Sequence, residues 1–316
     1  MSKGCTTLRS AALAVLLPLM LSAGALSWAA SAPAPPETRV VALAFLQQWA
    51  QGDLEGAYAR WAVPDFTQHN PEIPDGVAGH REFMAEMAAK SGEARGWANV
   101  TDLLLVDGDL FATLHHAFRS PQDPGRLFVD IWRVDAGHIV EHWDVIQPFP
   151  ASSANRNGLA CGVAEDYGSA LKYPSDPTQP ACGRPDPRAS RDSTLSTVDA
   201  YTHELSQGEV RQAIERWFSP DYRQHSPGIA DGAAGAIAHL EPEHGKAAKA
   251  HPRAVTPMRI IAEGDLVLMH RLVQYPDAER PSANIDIFRV TNGHISEHWD
   301  VKEPVPDGTR NGHGMW

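Results

Sequence analysis

The sequence predicts an α+β protein that carries two tandem copies of one small domain behind an amino-terminal leader. Three observations lead there. The phrase GHIVEHWD at Gly137 to Asp144 returns as GHISEHWD at Gly293 to Asp300. A shift of 156 residues then lays Trp61 on Trp217, Gln68-His69 on Gln224-His225, Asp75-Gly76 on Asp231-Gly232, Asp130 on Asp286 and Asp144 on Asp300, without a gap from about Phe45 to Pro150. A repeat of this length is a duplicated domain and not a solenoid unit. Finally, each copy runs from helical patterns into a series of strand patterns, the order expected of α+β architecture.

The leader is expected over residues 1–30. Lys3 and Arg9 precede an apolar run from Ala11 to about Leu26, followed by small residues and prolines, which is the order of a secretory signal peptide cleaved near Ala29 or Ala30. Pro18 and Gly24 interrupt the run, and it is short for a membrane span. Cys5 lies ahead of the run, which does not fit a lipoprotein attachment. The expected location is therefore periplasmic or secreted, with no membrane anchor after cleavage.

The first copy is expected over 38–150 and the second over 193–316. In the first, VVALAFLQQW has apolar residues at helical spacing, and the charged, Ala-rich DLEGAYARW follows as a second helix. DFTQHNP is a short extended piece ending in an Asn-Pro turn signal, and HREFMAEMAAK is a third helix. LLLVD, LFATLHHAF, RLFVDIWRV and HIVEHWDVI come next, divided by Gly-Asp, Pro-Gly and Ala-Gly turns, as a four-strand antiparallel meander. A sheet of this kind curved round helices leaves a concave face for a ligand. Residues 151–192, rich in Pro, Ser, Gly and Asp, read as a linker. Cys161 and Cys182 close a short loop there and are expected to pair in an oxidising compartment.

The net charge is −12, and loss of Lys3 and Arg9 with the leader makes it two more negative. An acidic chain without a basic run argues against nucleic acid or anionic lipid as a partner.

The repeated phrase supplies the chemistry. A three-residue loop in VDIWRV-DAG-HIVEHWDV, with Gly137 at the left-handed position, would set Trp132 opposite Val140, Asp130 opposite His142 and Phe128 opposite Asp144. Side-chain alternation then gathers Asp130, Trp132, His142 and Asp144 on one face, and Asp286, Phe288, His298 and Asp300 in the second copy. A four-residue loop would instead pair Asp130 with Trp143 and Glu141. Two carboxylates and an imidazole are costly in packed core but suit a pocket lining, where burial raises an Asp and a charged His lowers it. Such a group can give and take a proton near neutral pH. An Asp-His pair that only fixes the hairpin is the structural alternative. Alternation turns Trp143 and Trp299 away from this face, and Asp109 and Asp265 read as turn residues.

QHNPEIPDG, VDIWRVDAGHIVEHWDVIQPFP and the closing RNGHGMW resemble the SnoaL-like group of the nuclear transport factor 2-like superfamily, over nearly all of each copy. The resemblance implies two cone-shaped domains, each a curved antiparallel sheet with about three helices enclosing a pocket. It also implies that Asp144 and Asp300 match the acid/base aspartate of cofactor-free polyketide cyclases, and that His142 and His298 match a pocket histidine. Asp130 and Asp286 stand where the cyclases carry another pocket polar residue, often His. His69 and His225 match a polar residue at the pocket mouth; beside Pro71 and Pro227 they could equally cap turns. His270 matches a histidine of close relatives, where the first copy has Leu114 with His115 and His116 beside it, and this slightly favours the second copy if only one is active.

The resulting expectation is a cofactor-independent acid/base enzyme, of cyclase, aldol-type lyase or isomerase kind, acting on a small apolar carbonyl compound. Asp144, His142, Asp130, Asp300, His298 and Asp286 are its catalytic candidates, with His69, Trp132, His225, His270 and Phe288 contacting substrate. The alternative is an exported binding protein with two equivalent pockets and no reaction. His69, Asp130, His142 and Asp144 are also metal-ligand types, but no compact motif such as H-E-x-x-H is present, and no metal is assigned. Because superfamily members pair through their sheets, the resemblance further implies an internal pseudo-dimer within one chain.

Overall fold

The structure, a computed structural model, describes residues 37–91, 97–173, 175–246 and 253–316, together with Met1. The expected leader otherwise lies outside the described residues. The first copy comprises α1 (Thr38–Ala50), α2 (Leu54–Trp61), β1 (Ala62–Gln68), α3 (Gly76–Ser91), β2 (Ala98–Asp107), β3 (Leu110–Phe118), β4 (Arg126–Asp135) and β5 (His138–Pro148). A single turn, α4 (Tyr167–Ala170), follows in the linker. The second copy repeats the order as α5 (Arg191–Ser206), α6 (Val210–Trp217), β6 (Phe218–Gln224), α7 (Gly232–His244), β7 (Ala254–Glu263), β8 (Leu266–Gln274), β9 (Ser282–Thr291) and β10 (His294–Pro304). Local chemistry sets the boundaries. Gly52, with φ of 86°, ends the first helix, and Asp53 caps the second by accepting from the Gly56 N–H at 2.9 Å.

The four predicted strands form the meander in each copy. The short extended piece becomes a fifth strand, β1 or β6, running parallel to β5 or β10. Each sheet is therefore mixed, ordered β1-β5-β4-β3-β2 and β6-β10-β9-β8-β7, where the sequence predicted an antiparallel sheet. The parallel pairing arises because α3 or α7 follows the short strand and the chain re-enters at the far edge of the sheet.

The β4–β5 hairpin differs from the predicted register. Its turn has two residues, Ala136 and Gly137, both left-handed with φ of 47° and 81°, and Asp135 pairs with His138. Such turns match the right-handed twist of strands better than a longer loop does. A bulge between Ile139 and Glu141 then inserts one extra residue and restores the face parity. Asp130 consequently lies opposite Asp144 and Trp132 opposite His142, correcting the predicted Asp130–His142, Trp132–Val140 and Phe128–Asp144 pairs. The second copy does the same through Asn292-Gly293, with Asp286 opposite Asp300 and Phe288 opposite His298.

Both copies lie in one compact unit, Pro35–Trp316. One face of each sheet packs round its own helices, burying Phe45, Tyr58, Phe66 and Trp132 in the first copy and Tyr201, Ile214, Tyr222 and Phe288 in the second. The opposite faces meet in a shared core that includes Leu114, Val129 and Trp143 with Leu268, Ile285 and Trp299. Around it, backbone N–H groups of one copy reach side-chain oxygens of the other in matched pairs. Val106 donates to Glu263 at 2.7 Å and Ala262 to Asp107 at 3.0 Å; Ile146 donates to Glu303 at 2.7 Å and Lys302 to Gln147 at 3.0 Å.

The 156-residue correspondence continues beyond the sheets into two crossed arms. Asn155 donates to Ser226 and Ile229 carbonyls in the second copy at 2.7 and 3.0 Å. Asn311 donates to Asn70 and Ile73 carbonyls in the first at 2.6 and 2.9 Å. Leu159 and Met315, one from each arm, are buried in the shared core.

Parts of the linker pack against the first copy. Cys161 and Cys182 form a disulfide with Cα atoms 5.5 Å apart, as predicted. Ala181 and Cys182 donate to the carbonyls of Thr101 and Asp102 at 2.9 Å, and Tyr167 and Ala170 pack against Val100 and Phe118. Buried His116 joins the Asp102 carboxylate at 2.7 Å and the Ala164 carbonyl at 3.1 Å. No helix among the described residues is long and apolar enough to cross a membrane.

Candidate active site

The bulged hairpin delivers two carboxylates and an imidazole to the helix-covered face of each sheet. In the first copy, His142 Nε2 lies 2.9 Å from Asp130 Oδ1 and Nδ1 lies 3.0 Å from Gln68 Oε1. Gln68 Oε1 also accepts from the Asn70 N–H at 2.8 Å, which fixes that atom as oxygen. Both ring nitrogens thus face acceptors, so a proton on Nε2 would be donated to Asp130 and one on Nδ1 to Gln68. Trp132 stacks on the ring with centroids 5.1 Å apart.

Asp144 completes the group. It is 5% exposed, accepts from Asn70 Nδ2 at 2.6 Å, and its Oδ1 is buried with no hydrogen-bond partner among the described residues. Burial pushes it up to about 6; His142 opposes that rise, and the facing Asp130 carboxylate adds to it. Asp130 goes the other way. Burial alone would raise it, but His115 at 3.1 Å and His142 outweigh the loss of water and hold it well below the usual carboxylate range. Two carboxylates on facing strands are thereby driven apart, one permanently ionised and one titrating near neutrality.

The second copy keeps the frame and changes the partners. His298 lies 3.1 Å from Asp286 and 3.0 Å from Gln224 Oε1. Arg271 replaces His115 and contacts Asp286, holding it below its usual range against the effect of burial. Asp300, 4% exposed, meets Lys302 Nζ at 3.0 Å where the first copy has Ile146. Every carboxylate of this copy's group is therefore matched to a cation, whereas Asp144 has only a neutral amide.

The structure brings Asp130, His142, Asp144 and Trp132 together, and likewise Asp286, His298, Asp300 and Phe288. His69, His225 and His270 are elsewhere. His69 stacks on Trp143 and meets the Gly314 carbonyl at 2.6 Å and Glu141 at 2.9 Å. His225 stacks on Trp299 and meets Gly158 at 2.9 Å. These rings belong to the face where the copies meet, one residue out of phase with the pocket. His270 is on that face too, 3.3 Å from Arg259, which lies over the Trp143 ring. Its strand neighbours Arg271 and, in the first copy, His115 are the pocket-facing residues. Gln68 and Gln224 were also missed. The Gln-His pair recurred in both copies, but the histidine drew the assignment from the glutamine beside it.

One cavity is lined by the second copy's group, and another lies in the first copy. The cavity of the second copy, about 60 Å³, is lined by Tyr201, Tyr222, Asp286, Phe288, His298 and Asp300 among others. The cavity of the first copy, about 330 Å³, opens between α2 and α3 and is lined by Leu54, Tyr58, Val77, His80 and Met84; Asp130, His142 and Asp144 are not in its wall. Tyr58 and His80 stack 4.3 Å apart and lie within electrostatic reach of Asp130. Burial, aided by His142, lowers His80 to about 4, so it is neutral near pH 7. Oxygen and nitrogen atoms of Asp130, His142 and Asp144 lie within 4.8 Å of one another, a ligand set suited to a divalent cation. Ligation by His142 would first displace Gln68 or Asp130.

The profile of the SnoaL-like domain matches residues 42–142 and again residues 198–298. Among solved structures, an NTF-2 like protein of unknown function from Burkholderia xenovorans LB400 is similar at 18% identity, over 35% of this chain and 84% of that one, with a TM-score of 0.30. An LEH-like epoxide hydrolase from M. tuberculosis is similar at 19% identity, over 36% and 84%, with a TM-score of 0.29. IdmH, a proposed polyketide cyclase from Streptomyces antibioticus, is similar at 19% identity, over 35% and 91%, with a TM-score of 0.28. No curated protein matches the chain.

Proposed function

This chain belongs to the SnoaL-like domain family, with the domain present twice, and on that premise we propose that its first copy is a cofactor-independent acid/base catalyst. The observation that carries the proposal is Asp144, a buried carboxylate with a neutral partner, raised to about 6 beside a fixed imidazole–carboxylate pair. Above that pH its free Oδ1 accepts a proton from the carbon alpha to a carbonyl. The electrons move onto the carbonyl oxygen, and the His142 N–H shared with Asp130 stabilises the resulting enolate. The enolate carbon then attacks a second carbonyl of the same molecule, whose oxygen takes the proton back from Asp144, or recovers that proton at another carbon, giving aldol-type cyclisation or isomerisation. Leu54, Tyr58 and Val77 supply walls for a small, mostly apolar substrate.

Asp300 is instead ion-paired with Lys302. The second copy is accordingly where the binding-protein alternative finds support. We further propose domain boundaries at 38–150 and 193–316, and an internal pseudo-dimer supported by the matched hydrogen bonds across the shared core. Export is proposed from the leader, and the Cys161–Cys182 bridge is consistent with an oxidising compartment.

The experiment is deuterium incorporation at the alpha carbon of a panel of small cyclic ketones, followed by NMR. Wild type and Asp300→Asn should exchange, with a rate that rises through pH of about 6, and Asp144→Asn should not. Full exchange by Asp144→Asn would remove the mechanism; no exchange by the wild type on any ketone would favour the binding alternative.

A further inference from the structure

The two cavities differ most in their cations. Arg253, Arg271 and Lys302 all line the second one, and the matching residues of the first copy are Trp97, His115 and Ile146. The two copies align in sequence without a gap through these strands, so the cations of the second copy stand at positions whose counterparts in the first lack them. Each cation has a carboxylate: Arg271 contacts Asp286, Lys302 lies 3.0 Å from Asp300, and Arg253 lies 3.1 Å from Glu243. These partners use only part of what the guanidinium groups offer. The Nε atoms of Arg253 and Arg271 are both buried and have no hydrogen-bond partner among the described residues, with side chains 14% and 16% exposed. Both arginines line the same cavity, together with Tyr201 and His244.

A buried charged donor without an acceptor is unfavourable, and two in one cavity call for an anion able to face both. A planar carboxylate matches guanidinium donors in geometry as well as charge. Leu205, Phe218, Ile229 and Phe288 supply the apolar part of the wall, between polar residues such as Gln224, His239 and Asn284.

We propose that the second copy binds a small amphipathic carboxylate, with the carboxylate on Arg253 and Arg271 and the hydrocarbon part against Phe218 and Phe288. This goes beyond the catalytic reading of the first copy and does not rest on it. A chain with this arrangement has a reaction pocket and a separate acid-binding pocket in place of two equivalent sites.

Titration calorimetry on the whole oxidised chain tests it, with benzoate as probe and the neutral isostere benzamide as control. Benzoate should bind at least about tenfold more tightly than benzamide, because only the ion makes charge-assisted bonds. Arg253→Gln and Arg271→Gln should each weaken benzoate at least about tenfold while leaving benzamide unchanged. Arg253→Lys, which keeps the charge but loses the planar fork, should fall between and guards against a glutamine variant that does not fold. Equal affinity for the two probes, benzoate binding that persists in both glutamine variants, or no benzoate binding at millimolar concentration overturns the proposal. Failure of the ketone exchange assay would leave these outcomes untouched.

Discussion

Replacing Asp144 with Asn should stabilise the folded chain, and by an amount that depends on pH in a way the structure determines. The carboxyl titrates near 6 when folded, against 3.8 for an ordinary Asp. Below pH 3.8 it is protonated in both states and contributes nothing. Between 3.8 and 6 the unfolded chain releases the proton and the folded chain keeps it, so the folded state binds more protons and stability falls as pH rises. At about 1.4 kcal/mol per tenfold change in proton affinity, the loss reaches about 3 kcal/mol above pH 6. Asn cannot ionise, yet it can still accept from Asn70 through its amide oxygen, so the variant escapes this loss. Denaturant unfolding of both proteins, followed by tryptophan fluorescence at pH 4 and pH 8, measures the difference. The variant should gain about 3 kcal/mol on the wild type by pH 8 and well under 1 kcal/mol at pH 4. A stability difference that is the same at both pH values, or a wild type that gains on the variant as pH rises, would refute the reasoning that burial governs this carboxyl.

The buried His116–Asp102 pair occupies positions that are Leu272 and Met258 in the second copy. His116→Leu alone strands a buried Asp102 and should lower stability by about 3–5 kcal/mol, whereas Asp102→Met with His116→Leu should recover most of it, as read by thermal melts. An undisturbed single variant would argue against the pair. Reducing the Cys161–Cys182 bridge, which spans 21 residues, should lower stability by about 3 kcal/mol; free thiols in the untreated protein would dismiss the bridge. Light scattering should give the mass of one chain, because the shared core already covers the sheet faces; a mass of two chains would contradict the internal pairing.

Much of this fold was legible because the repeat doubled every local signal. The helix and strand patterns, the disulfide and the grouping of Asp130, His142 and Asp144 on one face all follow from spacing and alternation. The hairpin register did not, because Val140 and Ser296 look like ordinary strand residues and nothing in their chemistry marks a bulge. Parity survived that error only because the bulge adds one residue to a turn that is one residue shorter than predicted. His270 shows the opposite outcome. Choosing between adjacent strand residues requires the phase of the strand, and a histidine one position out faces a different core. Asp144 and Asp300 look equivalent in sequence; their difference comes from Asn70, Ile146 and Lys302, whose neighbours are fixed by pairing between strands that are distant along the chain.

The crossed arms have a consequence for how this chain must be mapped. Residues 311–314 are encoded with the second half but touch residues 69–75 of the first, and 154–160 is the converse. A lesion in the tail would therefore register in the opposite hollow, and a fluorophore attached at His313 would report on the neighbourhood of Asp75. Fragment-by-fragment dissection would assign such effects to the wrong half, since excising either one also removes the clasp from its sibling.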